Sequence, residues 1–173
     1  MVTLGGSDAY TAGQFFQGLT TDAWQGPLAL PAGRKLTTVV PGQAEGPIVG
    51  GNLTVLTSLV GTPYALDGTG CILVLEDTGE DAYRIDRMLN QLWQSGLLSR
   101  VAAIAYGDFT DCPNDPGDFT TDQVLDYYAH LAGKTAIKGL PVGHTKDKAF
   151  VPYGVKVRLD ADREGASLTF IDV

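Results

Sequence analysis

The clearest pattern of hydrophobic and polar positions lies near the middle of the chain. Residues 72–75 are an unbroken apolar run with β-branched members, which predicts a strand buried on both faces. Glu76 and Asp77 follow directly, and we expect this polar pair to end the strand. A helix is then expected to begin with Thr78 as N-cap and Asp81 in the capping-box position. Its packing face is predicted by apolar residues at helical spacing: Ala82, Ile85, Met88, Leu89, Leu92 and Trp93.

The part of the chain that precedes this strand predicts two helices and two strands. In chain order the first three are a helix from Ser7 or Asp8 to about Leu19, a strand over 36–40 and a strand over 44–49. The triplet Gly50-Gly51-Asn52 is then expected to turn into a short helix with Asn52 as its N-cap. Gly61 ends this helix because glycine favours the conformation that closes a helix.

The part of the chain after Gly96 continues the alternation of strands and helices. The predicted elements are a strand over 101–106, a loop over 107–119, a helix from Thr120 or Thr121 to about Ala132, a short extended segment over 137–142, and a hairpin with strands over 154–159 and 166–171. With no internal repeat or linker in between, the pattern predicts a single mixed α/β domain over residues 1–173.

Length and composition are those of one soluble globular domain. The 173 residues include 22 glycines and nine prolines, which implies many turns. No apolar run approaches the roughly 20 residues of a membrane span, and the N-terminus lacks the regions of a signal peptide. Part of residues 1–7 is interpreted as an appended remnant. The two cysteines, Cys71 and Cys112, have no metal-ligand spacing, which favours a reduced, cytoplasmic protein.

The net charge of −8 is unevenly distributed along the chain. Residues 61–133 hold twelve acidic and three basic side chains, whereas residues 134–173 hold five acidic and seven basic ones. Nucleic-acid binding needs clustered lysine and arginine, so this distribution argues against a nucleic-acid partner. We interpret the acidity as a means of staying soluble.

Two side chains are candidates for acid–base chemistry. Glu76 stands at the carboxyl end of the predicted central strand, where an open α/β sheet has its crevice. The alternative is a structural role for Glu76, as a helix cap or an ion-pair partner. His144 lies between Gly143 and Thr145 in a predicted turn, where a histidine beside a carboxylate would serve as a general base. His130, by contrast, lies on a helix and is interpreted as structural.

A nucleophile for such a pair is not evident in the sequence. No G-x-S-x-G motif occurs, since Ser7 in GGSDA fails at the final position, and the other serines lie in helices, at helix ends or in the hairpin. Cys112 is in an acidic loop, which raises the pKa of a thiol. Metal-binding and phosphate-binding motifs are absent as well, so we expect no cofactor and no metal. Asp108, Asp111, Asp115 and Asp118 lack EF-hand spacing and are interpreted as a solvated loop.

Four ordered motifs resemble the LD-carboxypeptidases, a family of serine peptidases. They are GPIVGGNLTVLTSLVGTPYALD, CILVLEDTGEDAYRIDRMLNQL, AYGDFTDC and LPVGHTKDKAFVPYGVKVRLD. The resemblance runs from about Asp8 to the C-terminus and covers only the C-terminal half of such an enzyme. It implies that Glu76 and His144 are the glutamate and histidine of a catalytic triad. It further implies that the GGN turn, Gly50-Gly51-Asn52, lies near the substrate cleft.

The resemblance also implies a fold, a reaction and partners. The fold would be a swivelling β/β/α domain, and the nucleophilic serine would come from an N-terminal domain of the same enzyme. The reaction would be release of a terminal D-alanine from murein tetrapeptides during cytoplasmic cell-wall recycling, with no metal or other cofactor. A related branch of the family cleaves peptide–nucleotide antibiotics and confers immunity to them. Members of the family are often homodimers.

Three expectations follow for the folded chain. The side chains of Glu76 and His144 should lie within about 3 to 6 Å of each other in one crevice. Apolar side chains that would pack on the serine domain or on a second copy should be exposed. Two other classes of function remain open, namely a non-catalytic peptide-binding or dimerisation module, and a phosphocarrier-like swivelling domain in which His144 is phosphorylated.

Overall fold

The computed structural model describes residues 8–20, 24–113 and 119–171. Within these ranges there are five helices and eight strands. The helices are α1 (Ala9–Thr20), α2 (Leu53–Ser58), α3 (Ala82–Gln94), α4 (Leu97–Arg100) and α5 (Thr121–Ala132). The strands are β1 (Gln25–Pro27), β2 (Thr37–Val40), β3 (Gly42–Asn52), β4 (Ile72–Thr78), β5 (Ala103–Thr110), β6 (Thr135–Lys138), β7 (Lys156–Ala161) and β8 (Ala166–Ile171).

The strands form one mixed sheet in the order β1-β8-β7-β3-β4-β5-β6-β2. Its central part, β3-β4-β5-β6, is parallel, and β2 pairs antiparallel with β6. The other part, β1-β8-β7, is antiparallel and joins the first half of β3. Strand β3 is thus shared, because residues 42–47 pair with β7 and residues 48–52 pair with β4.

Strand β4 separates two hydrophobic cores, because alternate residues of a strand point to opposite faces. Leu73 and Leu75 pack in a core with residues of the helices, such as Ile85 and Leu89 of α3. Ile72 and Val74 pack in the second core with residues of β7 and β8. The antiparallel strands therefore cover one face of the parallel strands, and the helices cover the other face. This arrangement confirms the mixed α/β class and the β/β/α layering that the resemblance implies.

The predicted end of the central strand was wrong. Strand β4 does not stop before Glu76 but continues to Thr78, because Asp77 and Thr78 still pair with β5. Thr78 therefore cannot be the N-cap of α3. That position is held by Asp81, whose side chain makes no capping hydrogen bond. Burial of the α3 face is confirmed except at Trp93, which is 40% exposed.

Several other boundaries differ from the predictions. Gly50, Gly51 and Asn52 are the last residues of β3 rather than a turn, although Asn52 is the predicted N-cap of α2. Strand β5 extends four residues beyond the predicted strand end at Tyr106, to Thr110, and the extended segment near 137 is β6, which begins at Thr135. The short elements β1 and α4 were not predicted. The α5 helix and the C-terminal hairpin agree with the prediction.

Helix α1 begins where Asp8 was expected to cap it, since the Oδ1 atom of Asp8 accepts a hydrogen bond from the Thr11 amide. Its large apolar residues Phe16 and Leu19 are exposed. The other expected cap, Ser7, and the interpretation of residues 1–7 lie outside the described residues. No helix in the described ranges is both long enough and apolar enough to cross a membrane.

Candidate active site

Glu76 lies at the carboxyl end of β4, at the edge of the sheet where parallel strands present their ligand-binding side. On one side it is in register with Asn52 of β3. Its side chain is only 8% exposed. A carboxylate this deeply buried needs partners, and the surrounding backbone determines which ones can reach it.

An irregularity in the β4–β5 pairing brings a further chain segment to Glu76. The register passes from Leu75↔Tyr106 to Asp77↔Phe109, so that two residues of β5 stand opposite Glu76. Strand bulges of this kind redirect backbone and side chains, often beside active sites. The second of these residues, Asp108, donates its backbone N–H to the carbonyl oxygen of Val142 at 2.8 Å. The segment that leads to His144 is thereby held against the edge of the sheet.

Two glycines allow the backbone to approach Glu76 closely. Gly143 has φ +126°, and a Cβ atom there would lie 2.9 Å from the Oε2 atom of Glu76 and 3.1 Å from the Asp108 carbonyl oxygen. A Cβ atom on Gly107 would lie 2.5 Å from the Val142 carbonyl oxygen and 3.2 Å from the Cβ of Glu76. Neither position has room for a side chain. The residue immediately before His144 must therefore be glycine for the histidine to reach the carboxylate.

His144 contacts Glu76 directly. The distance between His144 Nδ1 and Glu76 Oε2 is 3.1 Å, so the predicted proximity of the two side chains is present. The imidazole is 61% exposed, whereas the carboxylate is almost fully buried. With Glu76 ionised, Nδ1 donates the hydrogen bond, and Nε2 hydrogen-bonds to no residue that the structure describes. This geometry leaves Nε2 available to exchange a proton with a group from outside the domain.

The GGN segment lies on the strand next to Glu76. A Cβ atom on Gly50 would lie 2.0 Å from the Val74 carbonyl oxygen, so Gly50 permits close strand pairing. A Cβ atom on Gly51 would contact nothing within 4 Å. The Asn52 side chain is engaged at both ends, because Oδ1 accepts from the Val55 amide and Nδ2 donates to Asp77. These contacts are structural, and substrate binding by the three residues stays a prediction.

Asp77 is a residue whose role sequence reasoning missed. It is 2% exposed, and its Oδ2 atom accepts 2.9 Å hydrogen bonds from both the amide and the hydroxyl of Thr54. Its Oδ1 atom accepts from Asn52 and from the Thr78 amide. A carboxylate is favoured at a helix N-terminus, where unpaired N–H groups point outward. The available signal was an acidic residue directly after a buried strand, but it does not reveal the helix that it caps.

Arg34 and Asp108 fasten the loops next to the site. The Arg34 guanidinium pairs with the Asp108 carboxylate and donates to the carbonyl oxygens of Gly139 and Leu140. Asp108 was interpreted as part of a solvated loop, but it belongs to β5 and is bound by Arg34. Asp111 follows β5, and Asp115 and Asp118 lie outside the described residues. The ion pair between Arg34 and Asp108 could not be predicted from the cluster of aspartates, because its two residues are 74 positions apart in sequence.

A cavity of about 370 Å³ opens at the carboxyl ends of β5 and β6. It adjoins Glu76 through Gly107, which belongs to its lining. Lys138, also in the lining, pairs with Asp122 and Asp126. The pKa of Lys138 is raised overall. Burial alone would lower it, but the hydrogen bonds with the two aspartates have the larger combined effect. The cavity lining thus combines an ammonium group that is paired with aspartates with further carboxylate and backbone groups.

The described serines and cysteines make no contact with His144. Ser58, Ser95 and Ser99 each donate their hydroxyl to a nearby backbone carbonyl oxygen. Burial raises the pKa of the Cys112 thiol, with the Asp77 charge adding to the effect, so the expected weak nucleophilicity agrees with the structure. Among the residues described, no cluster of three or more histidine, cysteine, aspartate and glutamate side chains forms a metal site.

His130 has the structural role that its position predicted. Its Nδ1 atom lies 2.7 Å from the Asp126 carbonyl oxygen one turn earlier in the same helix. It is also at the end of α5, where a positively charged imidazole would be stabilised by the helix dipole. It makes no contact with Glu76.

The sequence is similar to a known protein family and to named members of it. The family model described as the LD-carboxypeptidase C-terminal domain matches residues 45–159. The probable murein peptide carboxypeptidase of Bacillus subtilis (strain 168) is 42% identical over 133 residues, which are 76% of this chain and 42% of that protein. The microcin C7 self-immunity protein MccF of Escherichia coli is 32% identical over 138 residues, 74% of this chain and 38% of that protein.

Among solved structures, the muramoyltetrapeptide carboxypeptidase from Oxalobacter formigenes superimposes with a TM-score of 0.78 at 31% identity, over 97% of this chain and 57% of that chain. The chain thus spans about two fifths of the length of the curated relatives that it matches. The matched region includes Glu76, His144 and the GGN segment. The chain belongs to the LD-carboxypeptidase family and corresponds to its C-terminal domain.

Proposed function

We propose that this chain is the part of a serine carboxypeptidase that supplies the glutamate and histidine of a Ser-Glu-His triad. The observation that carries the proposal is the 3.1 Å contact between His144 Nδ1 and Glu76 Oε2 at the carboxyl edge of the parallel strands. A buried carboxylate bound to one nitrogen of an exposed imidazole is the arrangement that fixes the tautomer of a general base. The relatives named as peptidases support the same reading.

In the proposed mechanism, a serine from an N-terminal nucleophile domain of the same enzyme attacks the carbonyl carbon of the scissile amide. His144 Nε2 takes the proton from the serine hydroxyl and returns it to the leaving amine. Glu76 holds the ring by accepting from Nδ1 and stabilises the imidazolium that forms. Water then attacks the acyl-enzyme, and His144 acts as the base a second time.

The substrate that we propose is a murein tetrapeptide, from which the enzyme releases the terminal D-alanine by cleaving an L,D-peptide bond. The cavity next to Glu76 supports a polar peptide ligand of this kind, because its lining holds Lys138 together with aspartates. Such peptides carry both ammonium and carboxylate groups. The remaining partners that we propose are the nucleophile domain and, as a homodimer, a second copy, in the cytoplasm during cell-wall recycling.

A second candidate is an immunity peptidase that cleaves peptide–nucleotide antibiotics. The 32% identity to a self-immunity protein supports this second candidate, although the identity to the murein peptide carboxypeptidase is higher, at 42%. The two candidates use the same pair of residues and differ in substrate. Comparing a murein tetrapeptide with an aminoacyl sulfamoyl nucleoside as substrates distinguishes them. A non-catalytic peptide-binding module remains the alternative from another class, and it predicts binding of either peptide without cleavage.

The proposal is tested by following D-alanine release from a murein tetrapeptide. The chain alone should be inactive, because loss of the nucleophile from a triad costs on the order of 10⁶ in turnover. Addition of a separately produced serine domain of the family should restore cleavage. His144→Ala should abolish the restored activity, whereas His130→Ala should not. Robust release by the chain alone, or release that His144→Ala leaves unchanged, would refute the proposed roles.

A further inference from the structure

We propose that Thr11, in helix α1, is a positioning residue for His144. It does not touch the imidazole but holds the loop that carries it. The inference concerns a part of the chain that precedes the region matched by the family model, which begins at residue 45. It rests on the proposed function in one respect, namely that the orientation of His144 toward Glu76 matters for a reaction.

Thr11 hydrogen-bonds to this loop on both sides of one residue. Its hydroxyl donates to the carbonyl oxygen of Lys146 at 3.2 Å and accepts from the amide of Lys148 at 2.9 Å. Thr11 is 7% exposed and is the only residue of α1 that is buried. A buried hydroxyl that uses both its donor and its acceptor in this way fixes the backbone more firmly than a single hydrogen bond.

Besides a side-chain hydrogen bond between Asp147 and Asp8, the loop has few other anchors, and its backbone has fewer still. Gly143 is wedged against Glu76, and the Ala149 amide donates to the Pro141 carbonyl oxygen at 2.7 Å. Between these points, the backbone of residues 144–148 makes no backbone–backbone hydrogen bond to any described residue. Ordering a loop of this kind costs conformational entropy at each residue, so the contacts that restrain it determine how long His144 stays near Glu76.

Helix α1 is itself fixed, so it can serve as the support for the loop. Its first turn is capped by Asp8, and the Tyr10 hydroxyl donates to the Ala29 carbonyl oxygen at 2.7 Å. At its other end, Gly18 lies against the ring of Phe150, which also stacks on Trp24 with the ring centroids 5.4 Å apart. The helix therefore connects the second hydrophobic core, to which Trp24 belongs, with the loop that ends at Phe150.

The test compares Thr11→Val with Thr11→Ser, which keeps the hydroxyl. The matched control is Thr20→Val, because Thr20 lies in the same helix and its hydroxyl, as far as the described residues go, bonds only within that helix. The readout is the ¹⁵N spectrum of His144 in the chain itself, which reports the tautomer without any peptidase assay. Thr11→Val should convert a dominant Nδ1–H tautomer to a mixture. Thr11→Ser and Thr20→Val should both keep the spectrum of the unmodified chain.

A spectrum unchanged in Thr11→Val overturns the proposal. Because that variant can also unfold, hydrogen exchange in the unmodified chain gives a second measurement. The Lys148 amide, which donates to Thr11, should be protected, and exchange as fast as in an unfolded peptide overturns the proposal as well. In the reconstituted enzyme Thr11→Val should lower kcat by about 10-fold to 10²-fold with little change in KM, since a misplacement of about 1 Å costs about 10²-fold.

The two proposals fail in different ways. If His144→Ala keeps full activity, the catalytic role of His144 is refuted, while the tautomer measurement still tests the positioning role of Thr11. If the tautomer responds as expected but kcat in Thr11→Val does not change, the loop is supported by Thr11 without consequence for catalysis, and the positioning proposal is refuted.

Discussion

At the scale of single residues, the site depends on two glycines, whose lack of a side chain lets the backbone approach Glu76. Gly143 and Gly107 bring bare backbone against Glu76, and a methyl group at either position would lie within 3 Å of a polar atom. The carboxylate is thereby enclosed while its partner, the His144 ring, remains exposed. Enclosure strengthens the contact, because a charge–dipole interaction is stronger where water is excluded.

The first prediction concerns the charge of Glu76. In the enzyme reconstituted with a serine domain, Glu76→Gln should lower the rate of D-alanine release by about 10³ to 10⁴, since an amide cannot stabilise an imidazolium and favours the wrong tautomer. Binding of the serine domain should not change. The control is Glu45→Gln, because Glu45 is on the antiparallel side of the sheet and pairs with Arg158. Equal rates for the two variants would contradict the role of Glu76.

The second prediction compares two neighbouring glycines. Gly50 and Gly51 have φ values of +125° and +139°, so alanine at either position costs about 1 to 3 kcal/mol of backbone strain. Only at Gly50 would the new methyl group also collide with the Val74 carbonyl oxygen. Gly50→Ala should therefore lower the free energy of unfolding, measured by urea titration, clearly more than Gly51→Ala. Similar losses of unfolding free energy in both variants would contradict this prediction, because they would show that backbone strain, and not the collision with Val74, determines the cost.

At the scale of secondary-structure elements, Asp77 joins the central strand to the helix layer. One carboxylate accepts from the first turn of α2, from the α2 N-cap Asn52 and from its own strand. The end of β3, the start of α2 and the end of β4 therefore have a common anchor, one residue away from Glu76. This explains why a polar pair continues the strand instead of ending it.

The third prediction concerns this anchor. Asp77→Ala should lower the free energy of unfolding by about 3 kcal/mol, because it removes the buried acceptor of four hydrogen bonds, from Asn52, Thr54 and Thr78. Asp81→Ala is the control, since Asp81 is the N-cap of α3 without a capping hydrogen bond and, of the described side chains, forms an ion pair only with the exposed Arg84. Its cost should stay within about 0.5 kcal/mol. Chemical denaturation of both variants measures the difference.

At the scale of the whole molecule, the parallel strands are shared by two cores. Every buried residue of β4 from Ile72 to Leu75 belongs to one core or the other, in alternation. Loss of either core would expose one face of the same strands. The site lies at the edge of this shared layer, and its geometry is therefore coupled to the integrity of both cores.

The fourth prediction is that the two cores unfold together. Trp24 packs on Phe170 and Phe150 in the core between the strand layers, whereas Trp93 lies on α3 and is partly exposed. In Trp93→Phe, the only remaining tryptophan reports on the first of these environments. Its fluorescence change and the loss of helical ellipticity should have the same urea midpoint, as expected for a two-state domain. Separate midpoints would mean that the layers unfold independently.

Sequence by itself determined the elements whose signals are local. Helix α5 was predicted from Thr120 or Thr121 to about Ala132, as the structure has it, and the C-terminal hairpin follows from alternation of apolar and polar residues beside a turn. The apolar run before Glu76 indicated the central strand, since a continuous run with β-branched members is typical of a strand covered on both faces. Glu76 and His144 were singled out from their positions in the sequence, whereas their pairing in one triad came from the resemblance to a family rather than from their spacing.

Tertiary structure alone decided where strands end and which distant groups meet. Strand β4 continues through Asp77 because β5 pairs with it and because the first turn of α2 donates hydrogen bonds to its carboxylate, and neither partner is visible in the local pattern. Glu76 and His144 are 68 positions apart in sequence, and they meet because of a bulge in β5 and because two glycines allow close approach of the backbone. Local sequence determines which secondary structure each segment prefers. Contacts between residues far apart in sequence depend instead on the register in which the strands pair, and that register is established only in the folded chain.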